Sequence, residues 1–419
     1  MSARRALTAR FGGLLALLLA SAMVLADALT APRPEAAPDR PPAAAGGATV
    51  SDTGSAAPRR PARPEVIKAI YLTSWSAATP ARVARALDLI ERTELNAVVI
   101  DVKDYTGNVV FRTGDPLVAR MGSEIPRLDL AALVRTFHER AIYVVVRIAA
   151  FQDHHLATAR PDLAVRDAAG RLWRDRQGLG WVDPASGEVW AYLAAVGKAA
   201  AAAGADELNF DYLRFPSDGD LEGLRYPFFD PWTGSRRRTI RRFFEVLTGA
   251  LRPTGAVLSA DLFGLVTVTD HDLGIGQVLE DALLYFDYVA PMVYPSHYAR
   301  GFLTFRNPAA HPYEVVHYSM RTAEERRRRF AHLVSALTAE TAADASDRET
   351  APVLARLRPW LQAFDLGAPY PPPAVRAQIR AVYDAGGSSG WYLWSPLNTY
   401  DQEALRTEAA ADGSRPARR

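Results

Sequence analysis

Cysteine is missing from all 419 residues. That excludes thiol nucleophiles, cysteine-ligated zinc and disulfides. An excess of charge of one sign is missing too. The net formal charge is only +2, and no basic stripe interleaves with aromatics, so nucleic acid is not an expected partner. The run Arg326–Arg329 lies beside Glu324 and Glu325 in a helix-like stretch and reads as a solvated helix face. No HExxH, Walker or paired HxH pattern occurs, so neither a metal nor another cofactor is expected.

Long apolar runs are scarce as well, apart from one at the amino terminus. Arg4 and Arg5 precede an apolar stretch from Phe11 to about Ala26, and Ala26-Asp27-Ala28 has the small-x-small form of a cleavage site. Residues 1–28 therefore read as a signal peptide or membrane anchor, slightly short for a spanning helix. The expected location is extracytoplasmic, secreted or tethered to the membrane by this segment. Residues 29–64 are rich in Ala and Pro and read as a linker, and 408–419 as a polar tail. Residues 65–407 form the expected folded domain; 49% hydrophobic residues against 23% charged make a packed core feasible.

Within that domain, strand-like and helix-like segments alternate. Strands are expected at 66–72, 97–102, 142–149, 208–215, 257–262, 288–294, 357–364 and 390–394. Helices are expected from Pro80, at 130–140, 188–203, 237–251, 323–337 and 373–385. Eight strands, most followed by a helix, predict an α/β fold, a (β/α)8 TIM barrel. An open doubly wound sheet would usually show a glycine-rich phosphate turn after strand one, and Thr73-Ser74-Trp75-Ser76 is not one.

In such a barrel the polar residues at the C-terminal strand ends share one mouth. The stretch Glu207 to Pro216 is the most informative. Leu208, Phe210 and Tyr212 occupy one strand face, Asn209 and Asp211 the other, and Pro216 is expected to end the strand. Strand two offers Asp101 and Lys103, which alternation places on one face; Asp104 reads as a turn residue. Strand three offers Arg147, strand five Asp261, strand six Tyr294 and then His297. Trp75 follows strand one and Trp394 ends strand eight.

Aromatic faces with carboxylates, amides and guanidinium groups suit sugar binding, and glycoside cleavage needs two carboxyl groups across one bond. Asp211 and Asp261 end neighbouring strands and are the candidate catalytic pair. Arg214, if it reaches Asp211, would keep that carboxylate ionised as nucleophile or charge stabiliser. An apolar setting for Asp261 would raise its pKa and suit a general acid, although the roles could be exchanged. Asp101, Lys103, Arg214, Tyr294, His297, Trp75 and Trp394 are the expected substrate-binding residues. Two other readings stand beside this one. One is a carbohydrate-binding barrel with little or no hydrolysis. The other is a deacetylase-like metal site in which His154 or His155 converges with Asp101 or Asp104.

Five segments in order resemble the bacterial putative glycoside hydrolase domain family, from Val66 to about Tyr400. They are Lys68–Thr73 with Leu95–Asp104 and Gly107; Glu207–Pro216; Ser259–Gly264; Ala290–Tyr298; and Gly390–Trp394. The resemblance implies a TIM barrel related to amylase-like glycosidases, exported or tethered to the envelope. It implies that Asp211 holds the strand-four carboxylate position and Asp261 the strand-five position, where amylase-like enzymes usually carry Glu. The expectation is an exported glycoside hydrolase acting on an envelope or extracellular polysaccharide.

Overall fold

The computed structural model describes residues 62–341 and 353–405. The expected leader, most of the linker and the polar tail lie outside these residues. The strands are β1 (Ile67–Leu72), β2 (Ala97–Lys103), β3 (Tyr143–Ala149), β4 (Glu207–Asp211), β5 (Val257–Phe263), β6 (Tyr288–Met292), β7 (Arg356–Leu357), β8 (Trp360–Gln362) and β9 (Gly390–Trp394). Each pairs with its sequence neighbour in parallel from β1 to β6. β6 continues to β7 and β8, β8 to β9, and β9 returns to β1 through Ile67 opposite Gly390. The sheet is thus a closed parallel barrel of eight positions with helices between strands, the predicted (β/α)8 fold.

β7 and β8 are two pieces of the seventh position. Between them lie Arg358 and Pro359, and proline has no N–H to give to a ladder. Arg358 N–H still bonds Val289 O, and Pro359 O accepts from Tyr392 N–H, so the chain stays in the wall. At the start of β9, Gly390 has φ +94°, and a Cβ there would lie 1.8 Å from Ile67 O. Closure of the barrel at that point requires glycine.

Alternation splits the buried residues into two shells. Val98, Ile100, Val144, Val146, Leu208, Phe210, Leu258 and Leu262 belong to the shell between strands and helices. Ile67, Ala69, Tyr71, Ala97, Val99, Tyr143, Val145, Ala290, Trp360 and Tyr392 fill the interior. The helices fit their sequences. Pro80–Glu91 starts on proline and buries Val83, Leu87 and Ile90 at helical spacing. Leu130–His138, Gly187–Ala202 and Arg236–Leu251 start from Asp129, Ser186 and Ser235, whose side chains accept first-turn N–H bonds.

On β4 the two-sided reading acquires its physical meaning. Glu207, Asn209 and Asp211 face the interior, where each meets a polar partner. Glu207 closes the bottom: its carboxylate pairs with Arg358 Nη1 at 2.9 Å and accepts from Tyr392 OH at 2.7 Å. Burial works against its charge and is the largest single effect, but Arg358 together with the hydrogen bonds from Ser259 and Tyr392 outweighs it and holds the carboxyl below its ordinary value.

Besides the split seventh strand, three element expectations need correction and one helix is additional. Strand four does not run to Phe215. It stops at Asp211 because Tyr212 turns left-handed, with φ +54°. Strand six stops at Met292, after which Pro295–His297 forms a single 3-10 turn. The helix expected at 323–337 is the later part of a longer one, Pro312–Thr341. A helix at Leu279–Tyr285 was not expected; at seven residues it is too short for a clear apolar period.

Candidate active site

The C-terminal ends of the strands open into a cavity of about 160 Å³. Arg147, Asp211, Arg214, Asp261, Tyr294, His297, Trp360 and Trp394 are among the side chains on its wall.

Arg147 organises the carboxyls. It sits on β3 opposite Asp101 of β2 and Asn209 of β4, so its side chain points into the barrel among three acidic strand ends. Nη1 donates to Asp101 Oδ1 at 2.8 Å, Nη2 pairs closely with Asp211 Oδ2, and Nε faces Asp261 Oδ2 at 3.4 Å. Burial opposes its charge, but Asp211, Asp101 and Asp261 outweigh it and raise its pKa further, so it is a fixed cation. Because Asp211 and Asp261 rest on adjacent nitrogens of one guanidinium, their contacting oxygens lie inside the ~9.5 Å outer limit of glycosidase carboxyl pairs.

The two carboxyls differ in surroundings. Asp211 also accepts the Tyr212 N–H at 2.5 Å, a bond that the left-handed turn at Tyr212 provides. Asp261 is wholly buried. Its Oδ1 accepts from Asn209 Nδ2 at 2.8 Å and Trp360 Nε1 at 2.7 Å, leaving Oδ2 with the long contact to Arg147. Burial, and then the charge of Asp211, push its carboxyl up to about 8, against the pull of Arg147, Asn209 and Trp360. With that raised value Asp261 keeps its proton at neutral pH.

Asp101 stands behind Arg147 and does not line the cavity. Tyr71 OH donates to its Oδ2 at 2.5 Å, and burial raises its pKa despite Arg147 and that bond. Tyr294 and Trp394 form one wall, stacked with ring centroids 5.6 Å apart at 27°. His297 lines the cavity too. Burial lowers its pKa to about 4, so it is neutral at physiological pH. Ser296 Oγ donates to Gln362 Oε1 at 2.8 Å and lies 2.9 Å from His297 Nδ1. The Ser296 proton is thus engaged, which assigns the imidazole proton to Nδ1 and leaves Nε2 as an acceptor.

Three expected placements are overturned. Lys103 does not share a face with Asp101. The β2–β3 register shifts between the two residues, and a bulge of this kind turns a side chain to the other face. Lys103 is fully buried, pairs with Asp153 at 2.8 Å and lies over the Tyr192 ring of helix Gly187–Ala202. Arg214 makes no ion pair with Asp211; Arg147 holds that place. Trp75 does not line the cavity. It is 66% exposed, with the Arg127 guanidinium 4.2 Å from its ring centroid. Trp75→Ala should therefore leave turnover within about twofold and cost no more than ~1 kcal/mol, the loss of one exposed cation–π contact; steady-state kinetics beside a denaturant titration checks both.

The metal constellation does not form. His154 Nδ1 accepts the Gly180 N–H at 3.0 Å and His155 Nε2 bonds Gly122 O at 2.7 Å, while Asp104 pairs with Arg127 and caps its own turn at Thr106. Tyr71, Asn209 and Trp360 were not singled out from the sequence, and Arg147 was given no role. The available signal for Arg147 was one charge inside the apolar run Tyr143–Ala149.

One solved structure agrees with this architecture in fold. The PgaB (BpsB) glycoside hydrolase domain from Bordetella bronchiseptica is similar in fold, with a TM-score of 0.53 at 15% identity over 81% of this chain and 98% of that one. A hypothetical protein from Ruminiclostridium thermocellum is 34% identical over 46% of this chain and 96% of its own, with a TM-score of 0.42. An α-galactosidase from Thermus thermophilus aligns at 17% identity over 82% of this chain and 61% of its own, with a TM-score of 0.45. Among curated proteins, none matches. Residues 69–400 match the family described as "Putative glycosyl hydrolase domain", and the chain belongs to that family.

Proposed function

We propose that this protein is an exported glycoside hydrolase that cleaves a polysaccharide of the cell envelope or its surroundings. The observation that carries the reading is the carboxyl pair: Asp211 and Asp261 on one guanidinium edge, with the buried Asp261 pushed up to about 8. A glycosidase needs one carboxyl protonated and one ionised across the same bond. Asp261 is the general acid that gives its proton to the leaving glycosidic oxygen. Asp211 faces the sugar as nucleophile or as stabiliser of the oxocarbenium-like transition state. Tyr294 and Trp394 supply aromatic surface for the ring, and neutral His297 offers Nε2 to a sugar hydroxyl. Arg147, backed by Asp101 and Tyr71, positions both carboxyls. Export rests on the amino-terminal sequence, with its two arginines, apolar run and small-x-small site.

The test is release of reducing ends from purified envelope glycans by the wild type beside Asp211→Asn and Asp261→Asn. Turnover by the wild type and a steep loss in both variants is the expected result. Undiminished turnover in both would remove the pair from the mechanism. Equal glycan binding by all three proteins with turnover by none would instead identify a carbohydrate-binding barrel.

A further inference from the structure

Arg214 lies on the cavity wall but has no part in the carboxyl pair. It is 6% exposed. Nη1 donates to Phe215 O at 3.2 Å and Ser217 Oγ at 3.0 Å. Nε and Nη2 have no hydrogen-bond partner, and the guanidinium no ion pair, among the described residues. The nearby carboxyls bond to other groups, none to Arg214. Asp211 is on Arg147, Asp175 accepts from Trp181 Nε1 and from two backbone N–H groups, and Asp218 accepts the Arg176 N–H. Three rings surround the cation: Phe263 at 4.6 Å, Trp181 at 4.7 Å and Tyr212 at 5.5 Å from the guanidinium carbon.

Burying a cation without a counter-anion is costly, and ring faces return only part of the lost hydration. The balance at Arg214 is visible in its pKa, which burial lowers against weaker contributions from Tyr212, Asp218, Asp211 and Asp175. The contrast with Arg147, which three carboxyls surround, is sharp. The two unpartnered nitrogens, Nε and Nη2, form one edge of the guanidinium, and that edge matches both oxygens of a carboxylate with parallel hydrogen bonds.

We propose that the cavity takes a sugar that carries a carboxylate, held side-on by Nε and Nη2 of Arg214. The proposal rests on the reading of this cavity as a sugar site. Two sources of that chemistry fit: the C6 carboxylate of a hexuronate, or the ether-linked lactyl carboxylate of a muramic acid. Binding is measured by titration calorimetry on the full chain at low ionic strength, with glucuronate against glucose and N-acetylmuramate against N-acetylglucosamine. At least one acid should bind about 10- to 100-fold more tightly than its neutral counterpart, as expected for hydrogen bonds to a charged group; the acid that does so identifies the source. Arg214→Gln should abolish the preference, and Arg214→Lys, which keeps the charge but not the fork, should lose most of it.

Acids that bind no more tightly than their neutral partners, or not at all, would overturn the proposal, as would a preference intact in Arg214→Gln. If Arg214→Gln does not fold, the wild-type comparison and Arg214→Lys decide. Acid preference without glycan turnover leaves the Arg214 site standing and removes the hydrolase reading. Turnover of neutral glycans without acid preference removes the Arg214 site alone.

Discussion

Asp261→Asn should fold and bind glycan while turnover falls by about 10²- to 10⁴-fold, the usual contribution of a general acid. Asparagine keeps an Oδ1 acceptor for Asn209 and Trp360 but has no proton to give. In the wild type, activity should fall on the alkaline side as pH rises through about 8, because Asp261 then loses its proton. The variant's residual activity should lack that limb. Stability carries an independent signature. A carboxyl whose folded pKa is raised above the unfolded value of ~3.9 contributes stability that is fully present below that value. That stability is lost as pH rises through about 8. Asparagine does not titrate, so the variant should gain on the wild type in denaturant midpoint between about pH 4 and 8. An unchanged pH–rate profile in Asp261→Asn would sink the assignment of Asp261 as the acid.

The second large effect concerns Arg147. Arg147→Met leaves Asp101, Asp211 and Asp261 facing one another without their shared cation. Removing one partner from a buried ionic cluster costs about 3–5 kcal/mol, and the carboxyl geometry goes with it, so turnover should vanish together with stability. The sign of the pH effect follows from the same linkage. Without Arg147, burial and mutual repulsion raise the folded pKa values of the carboxyls. Their stabilising contribution is then present at low pH and lost as pH rises. The deficit against the wild type, measured by urea titration, should therefore shrink as pH falls from 7 toward 4. A variant as stable as the wild type at pH 7 would show that the cluster does not depend on this guanidinium.

Much of this molecule was legible in the one-dimensional pattern, for reasons particular segments make plain. Val83, Leu87 and Ile90 repeat at helical spacing and are buried together. The alternation of Leu208 and Phe210 against Glu207, Asn209 and Asp211 separates outer shell from interior because strand side chains alternate faces. Asp211 and Asp261 could be paired because consecutive parallel strands of a barrel are neighbours and their C-terminal ends share a mouth.

Other features escaped for equally physical reasons. The alternation rule put Lys103 beside Asp101, but a single register shift on β2 sent it to Asp153 behind the wall. Proximity along the chain suggested Arg214 as the partner of Asp211. The left-handed turn at Tyr212 takes the chain out of the strand, so the nearer cation in space is Arg147, 64 residues away.

Local periodicity, caps and breakers are interactions among residues a few positions apart, so the order of elements, the barrel and the acidic strand ends could be read from the chain alone. Which cation meets which carboxylate depends on strand register and on one backbone dihedral. Which carboxyl keeps its proton depends on burial and on charges brought from distant strands. Those quantities exist once the barrel has closed. They leave Asp211 and Asp261 on Arg147, and Arg214 on the cavity wall without a carboxylate partner among the described residues.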